Sequence, residues 1–306
     1  MTTSHLKTVL KWALCISAVA GVAGTAPAQT LLYQWSFNSG TGAPDVSAGG
    51  GDLSINPLTG TGSNLGYSSA GGPGLAGANG ALTVGGGGYN GGNTSVAVAS
   101  DLSGLGTLSQ ISLGFWFNIG SGVVTSAQLP RLVEIGASST YDAGGKGSGN
   151  LNGIGTAVNY SSSANSTFGL QNGVNSTVGP SSGSGDNYQF GSNPGTLLPA
   201  AWYYELVTYD GTQTANNFST YVGTSPSALS LLGTVTANDG AIAFGNSATI
   251  MIGNDNSSSV PRALSAGSLA DVKVWSSIEP APEPASSALL GMGLAAGLLA
   301  ARRRRA

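Results

Sequence analysis

Cysteine and histidine are almost absent from this sequence. Its 306 residues contain one of each, Cys15 and His5, and both lie within the first 28 residues. The chain beyond that point therefore cannot form a disulfide, a Cys/His metal site, a Ser-His-Asp triad or a histidine general base. These four kinds of site are excluded before any pattern is considered.

Charge is also scarce. Charged residues make up 8% of the chain, against about 25% in an average soluble protein. A coiled coil or a long amphipathic helix bundle needs many Lys, Glu and Arg, so both are excluded. Residues 29–279 contain twelve acidic and four basic residues, a balance of −8. Four scattered cations cannot follow a phosphate backbone, so we expect no nucleic-acid partner.

Small and apolar residues are abundant instead. The chain contains 50 Gly and 13 Pro, and 41% of it is hydrophobic. The glycine runs lack the three-residue period of collagen. A wholly disordered chain is excluded as well, because the hydrophobic content is high and the net charge is only −3. This composition is typical of an exported β-protein with loops of small residues.

The N-terminus has the pattern of a secretory signal. A short basic region precedes apolar residues 12–23, and Ala26 and Ala28 occupy the two small-residue positions that a signal peptidase reads. We predict that residues 1–28 are a cleaved signal peptide and that Gln29 becomes the new N-terminus. An uncleaved anchor helix is the alternative.

The C-terminus combines three features in order. Pro282, Glu283 and Pro284 precede an apolar run over 285–301, and four basic residues follow it: Arg302, Arg303, Arg304 and Arg305. As a helix this run would be about 25 Å long, which barely crosses a hydrocarbon core of about 30 Å. Arginines beyond the run should stay cytoplasmic, which places the preceding domain outside.

This arrangement resembles the PEP-CTERM sorting signal of Gram-negative bacteria. The resemblance implies that an exosortase removes the tail after export, and that the chain is anchored in the inner membrane only transiently. Proteins with this signal are commonly linked to exopolysaccharide production, so the implied destination is the outer surface or the extracellular matrix. A simple tail anchor is the alternative.

Alternating apolar residues predict many short strands between the two ends. In 110–119 the odd-numbered residues Ile111 to Ile119 are apolar, and Ser112, Gly114, Trp116 and Asn118 fall on the other face. Eleven further strands are predicted at 31–37, 81–84, 95–99, 131–136, 153–158, 167–171, 202–209, 219–222, 229–235, 248–253 and 269–275. Gly-, Ser- and Asn-rich loops are predicted at 71–92, 138–166 and 172–199. No amphipathic helix interrupts the strands, which favours an all-β antiparallel sandwich or jelly roll.

Several segments resemble a laminin-G-like, concanavalin A-like jelly roll when taken in order. They are the first strand and turn (31–38 and 45–47), the aromatic strand 111–117, the Trp-led strand with its Tyr-Asp-Gly turn (202–211), its return strand 221–223, and the closing pair 250–255 and 267–275. The resemblance implies one domain over 29–279, between the signal peptide 1–28 and the sorting signal 280–306. Glu205 departs from it, since the family usually has an apolar residue there.

Calcium is the predicted cofactor, if there is one. It prefers carboxylate, amide and carbonyl oxygens, and four such residues lie at predicted strand ends or turns: Asp210, Asn254, Asp255 and Asp271. Related domains often hold calcium near such loops. Ordinary turns are the alternative explanation of the same residues, and the turn signals favour it.

Catalysis is not predicted. A glycoside hydrolase needs two carboxyl groups beside one cleft, and only Glu134 and Glu205 could pair in that way across strands. The Trp residues at 35, 116, 202 and 275 are predicted to lie in the core. The Tyr residues at 67, 89, 141, 160 and 188 are predicted to lie in loops, as packing anchors or as platforms for sugar rings.

The sequence therefore predicts an exported, non-catalytic surface or matrix protein. Signal peptidase and exosortase would process it, and a polysaccharide is the expected ligand. A purely structural exported protein is the main alternative, and a polysaccharide-active glycoside hydrolase is a further one.

Overall fold

The described part of the chain is built from β-strands. The computed structural model describes residues 29–59, 65–74, 79–84, 94–120, 130–137, 152–160, 168–176, 186–190, 197–237, 240–254, 264 and 266–279. These residues form eighteen strands and no helix, so none of them forms a helix that could span a membrane. The strands are β1 (Leu31–Trp35), β2 (Val46–Ser47), β3 (Ser54–Thr59), β4 (Leu65–Ser68), β5 (Ala81–Val84), β6 (Thr94–Leu102), β7 (Gly106–Leu108), β8 (Gln110–Ile119), β9 (Arg131–Gly136), β10 (Gly153–Tyr160), β11 (Phe168–Asn175), β12 (Asp186–Phe190), β13 (Trp202–Asp210), β14 (Phe218–Gly223), β15 (Leu229–Val235), β16 (Ile242–Gly245), β17 (Ala248–Ile252) and β18 (Gly267–Trp275).

Two antiparallel sheets form a sandwich. The nine-stranded sheet has the order β15-β14-β13-β8-β18-β1-β2, with β5 pairing β18 and β4 pairing β5. The seven-stranded sheet has the order β12-β11-β10-β9-β17-β6-β3, and β7 and β16 form a separate pair. The first and last strands, β1 and β18, are neighbours. The predicted all-β antiparallel jelly-roll sandwich is confirmed.

The main core lies between the two sheets. From β8 it receives Phe115 and Phe117, and from β17 of the facing sheet it receives Ile250 and Ile252. Trp35 lies in the same core, where its indole Nε1 donates to the carbonyl of Gly51 at 2.8 Å. The alternation of β8 is confirmed, because its odd-numbered residues belong to this core and Trp116 belongs to a second cluster.

All twelve predicted strands are present, and four of them, β5, β8, β9 and β15, have the predicted bounds. Six short strands were not predicted: β2, β3, β4, β7, β12 and β16. The prediction of a loop over 172–199 is wrong at two places, because 172–175 continues β11 and 186–190 forms β12. The loop prediction for Tyr67 is also wrong, as this residue lies in β4. Its ring stacks on Phe37 at 5.8 Å, so it acts as a packing anchor. Tyr160 and Tyr188 likewise lie in strands, whereas Tyr89 and Tyr141 fall outside the described residues.

Candidate functional site

A buried polar cluster bridges the two sheets. Asn172 of β11 donates from Nδ2 to Glu205 Oε1 of β13 and to Thr220 Oγ1 of β14, both at 2.7 Å. All three residues are fully buried. Glu205 Oε2 and Asn172 Oδ1 have no hydrogen-bond partner. The cluster connects β11 to β13 and β14 at one register.

Burial determines the charge state of this cluster. Desolvation raises the pKa of Glu205 from 4.5 to about 8, although the hydrogen bond from Asn172 opposes the rise. Burial therefore favours the neutral form of this carboxyl. Sequence analysis had already singled out Glu205 as a polar residue at an apolar position. It missed Asn172, because the segment after residue 171 is rich in the small and polar residues that predict a loop.

Glu134 does not meet Glu205. Its register neighbours are Gly155 and Met251, and Met251 packs with Val96 and Val98 in a cluster apart from the main core. Glu134 therefore lies on the outer face of the seven-stranded sheet, where its Oε1 is 3.1 Å from Arg131 Nε. Glu205 points the other way, into the space between the sheets. The hypothetical pair of glutamates across one cleft does not form.

The calcium candidates that the structure describes lie apart. Asp210 ends β13, and its Oδ1 accepts from the amide of Thr212 at 3.0 Å. Asp271, in β18, accepts from Gln34 Nε2 and pairs with Lys273 Nζ. From the strand register, the two aspartates are about 17 Å apart along the strands.

Asn254 follows β17 in the other sheet, where its Nδ2 donates to Ser95 O at 3.2 Å. Asp255 falls outside the described residues. Within the residues that the structure describes, no three His, Cys, Asp or Glu side chains could hold one ion together. The described members do not fit a single metal site, and calcium binding stays a prediction.

The outer face of the nine-stranded sheet has its own aromatic cluster. Trp116, Tyr204 and Trp275 form it with Leu206, and Trp202 packs against them. The rings of Trp116 and Tyr204 meet edge to face at 5.4 Å. The prediction that the tryptophans lie in the core is thus correct for Trp35. The other three lie on the opposite side of the sheet.

A row of half-exposed residues crosses this face at its far end. Trp202 of β13 pairs in register with Asn118 of β8, which pairs with Ser268 of β18, which pairs with Thr83 of β5. We call these four residues the outer row. All four are partly exposed, and strand spacing makes the row about 14 Å long. It places one indole beside an amide and two hydroxyls on a surface that solvent reaches.

The processing residues lie outside the described part of the chain. They are Ala26 and Ala28, the triplet Pro282, Glu283 and Pro284, and the arginines from Arg302 to Arg305. Comparison with protein families bears on the C-terminal end of the chain as a motif. Residues 280–305 match the PEP-CTERM protein-sorting motif. This motif indicates export, sorting to the cell surface by way of the membrane, and processing by an exosortase. No curated protein matches the chain by sequence.

Solved structures resemble the sandwich at low identity. A heptameric SAP-like pentraxin from Limulus polyphemus is 15% identical, with 61% of this chain and 79% of that chain covered and a TM-score of 0.38. Basic winged bean lectin is 12% identical, with 73% and 91% covered and a TM-score of 0.39. Alginate lyase Aly36B is 9% identical, with 69% and 82% covered and a TM-score of 0.41. At these values no ligand or activity transfers to this chain.

Proposed function

We propose that this exported protein binds carbohydrate, in particular exopolysaccharide, through the outer row on the nine-stranded sheet. The observation that supports the proposal is the in-register placement of Trp202 beside Asn118, Ser268 and Thr83, all partly exposed. The proposed role is binding at the cell surface or in the extracellular matrix after export, without catalysis.

The chemistry of the row fits a sugar chain. An indole offers a large apolar face that a pyranose ring can cover, and amide and hydroxyl groups can exchange hydrogen bonds with sugar hydroxyls. A row of about 14 Å could accommodate two to three sugar units lying across the strands. The strands beneath are hydrogen-bonded on both sides, so the side chains are held on a rigid base.

Replacing Trp202 by alanine should weaken polysaccharide binding at least tenfold, because aromatic anchors contribute most of the energy at such sites. Replacing it by phenylalanine should retain most of the affinity, since a ring face remains. Calorimetric titration of the released protein against the exopolysaccharide of the producing bacterium measures both changes.

Tyr221 provides the matched control. It packs on the same aromatic cluster but lies four residues along the strands from the row, so Tyr221→Ala should leave the affinity unchanged. Equal losses in the Trp202 and Tyr221 variants would contradict the outer row as the site. A folded wild-type protein that binds no exopolysaccharide would favour the purely structural alternative.

Calcium is tested in the same experiment. We expect a metal that helps to hold the ligand, or that stabilises the loop at Asp210, to raise both the affinity and the melting temperature over a chelator-treated sample. Asp210→Ala should then remove the difference in melting temperature. Equal melting in calcium and in chelator would eliminate the metal and leave the outer row untouched.

A further inference from the structure

The two ends of the described chain meet at one place. The amide of Ser276 donates to Thr30 O at 3.1 Å, and Gln29 Nε2 donates to Ile278 O at 2.8 Å. Gln29 is the residue that the predicted signal cleavage would expose. Residues 276–279, which we call the exit segment, are the last described residues before the sorting motif.

Ser112 fastens the exit segment to the sheet. Its Oγ donates to Ser277 O at 2.7 Å and accepts from the amide of Glu279 at 2.7 Å. Ser112 is fully buried, and its side chain points to the outer face of β8. Its donor and its acceptor are both used by the exit segment. Beyond Ser276, which is bonded to Thr30, the segment is thus held by one buried serine hydroxyl and one glutamine side chain.

The position of Glu279 matters because few residues separate it from the Pro-Glu-Pro triplet. Pro282 is three residues further on, and three residues span at most about 10 Å. If the segment were released as far as Ser276, whose amide is bonded to Thr30, six residues would separate that point from Pro282, and the span could reach about 20 Å. Release of this segment therefore about doubles the distance that can separate the sorting motif from the sandwich.

We infer that Ser112 and Gln29 form a latch that holds the sorting motif close to the folded sandwich and so limits the rate at which the processing enzyme removes the tail. A protease needs a segment that it can reach and extend, and a bulky sandwich about 10 Å away obstructs that approach. Opening of the latch supplies the missing length. The inference rests on the sorting motif and is independent of carbohydrate binding.

Ser112→Ala removes both hydrogen bonds of the hydroxyl, and we expect tail removal to become at least about fivefold faster, because one net hydrogen bond alone shifts an opening equilibrium by about that factor. Gln29→Ala should act in the same direction. Pulse-chase labelling of the full chain in its own bacterium measures the rate. Ser219→Ala is the matched control, because Ser219 bonds Thr234 on the same sheet and is not bonded to the exit segment.

Amide hydrogen exchange on the full chain in detergent tests whether the exit segment is held, independently of whether holding it slows tail removal. In the Ser112 variant the amide of Glu279 should lose protection, while that of Ser276, which is bonded to Thr30, should keep it. Protection of Glu279 that survives the substitution would refute the latch. Lost protection with an unchanged or slower rate of tail removal would refute its control of processing.

Discussion

The free energy of unfolding should fall steeply as the pH rises from about 4.5 to about 8. Glu205→Gln should remove the part of this pH dependence that Glu205 contributes. The pKa of Glu205 is raised from 4.5 to about 8 by burial, so the folded chain holds a proton that the unfolded chain releases over this window. The stabilisation linked to this proton is fully present below pH 4.5 and is lost as the pH passes 8. It amounts to at most about 5 kcal/mol.

Urea unfolding at several pH values measures this effect. The wild-type curve should slope downward between pH 5 and 8 relative to that of Glu205→Gln, and the two curves should run parallel above about pH 9. Other acids, such as half-buried Glu279, are present in both proteins. The difference between the two curves therefore isolates Glu205. Parallel curves over the whole range would show that this carboxyl does not titrate with folding.

Asn172 tests the same cluster from the opposite sheet. Its amide is the donor that holds Glu205 Oε1, and that hydrogen bond lowers the pKa of Glu205. Asn172→Ala should therefore move the stability loss to higher pH and destabilise the protein by about 2–4 kcal/mol, because two buried acceptors lose their donor. If Asn172→Ala lowered the free energy of unfolding without changing its pH profile, the loss would come from packing, and the effect of Asn172 on the pKa of Glu205 would be contradicted.

Gly114→Ala should destabilise the sandwich by about 2–3 kcal/mol, as overpacking does in a well-filled site. A Cβ at Gly114 would lie 2.3 Å from Tyr204 Oη and 3.0 Å from Trp275 Cζ3. Because Gly114 has no side chain, the Tyr204 ring can lie over it on the outer face. Thermal unfolding of the purified variant measures the cost.

Tyr204→Phe provides the matched rescue. It removes the oxygen nearest to the added methyl group and leaves the ring in place, so the double variant should recover about half of the lost stability. By itself Tyr204→Phe should change the melting temperature little. A double variant as unstable as Gly114→Ala would place the clash on Trp275 or on the ring instead of the hydroxyl.

The tryptophans show what the sequence pattern could not predict. Trp35 and Trp116 both lie in alternating strands, and both are buried. Alternation assigns each residue to one of two faces but does not say which face another sheet covers. Trp35 faces the second sheet, whereas Trp116, Trp202 and Trp275 belong to the cluster on the opposite side.

The sequence by itself determined the C-terminal sorting motif and the architecture. The processing patterns are contiguous, so Pro282 to Pro284 with the following apolar run and arginines could be read directly, and the family comparison confirms that motif. The period of two in segments such as 110–119 indicated strands, because side chains alternate along an extended chain. The existence of twelve strands and the antiparallel sandwich follow from such local signals, whereas the bounds of only four strands do.

Only the tertiary structure decided which distant residues meet. Asn172 contacts Glu205 across 33 positions of the chain, and the outer row joins four strands whose order in the sheet differs from their order in sequence. The Ser112 contact with Glu279 spans 167 positions. Such contacts depend on the register between strands, and register is set by the packing of whole sheets, which no single segment contains.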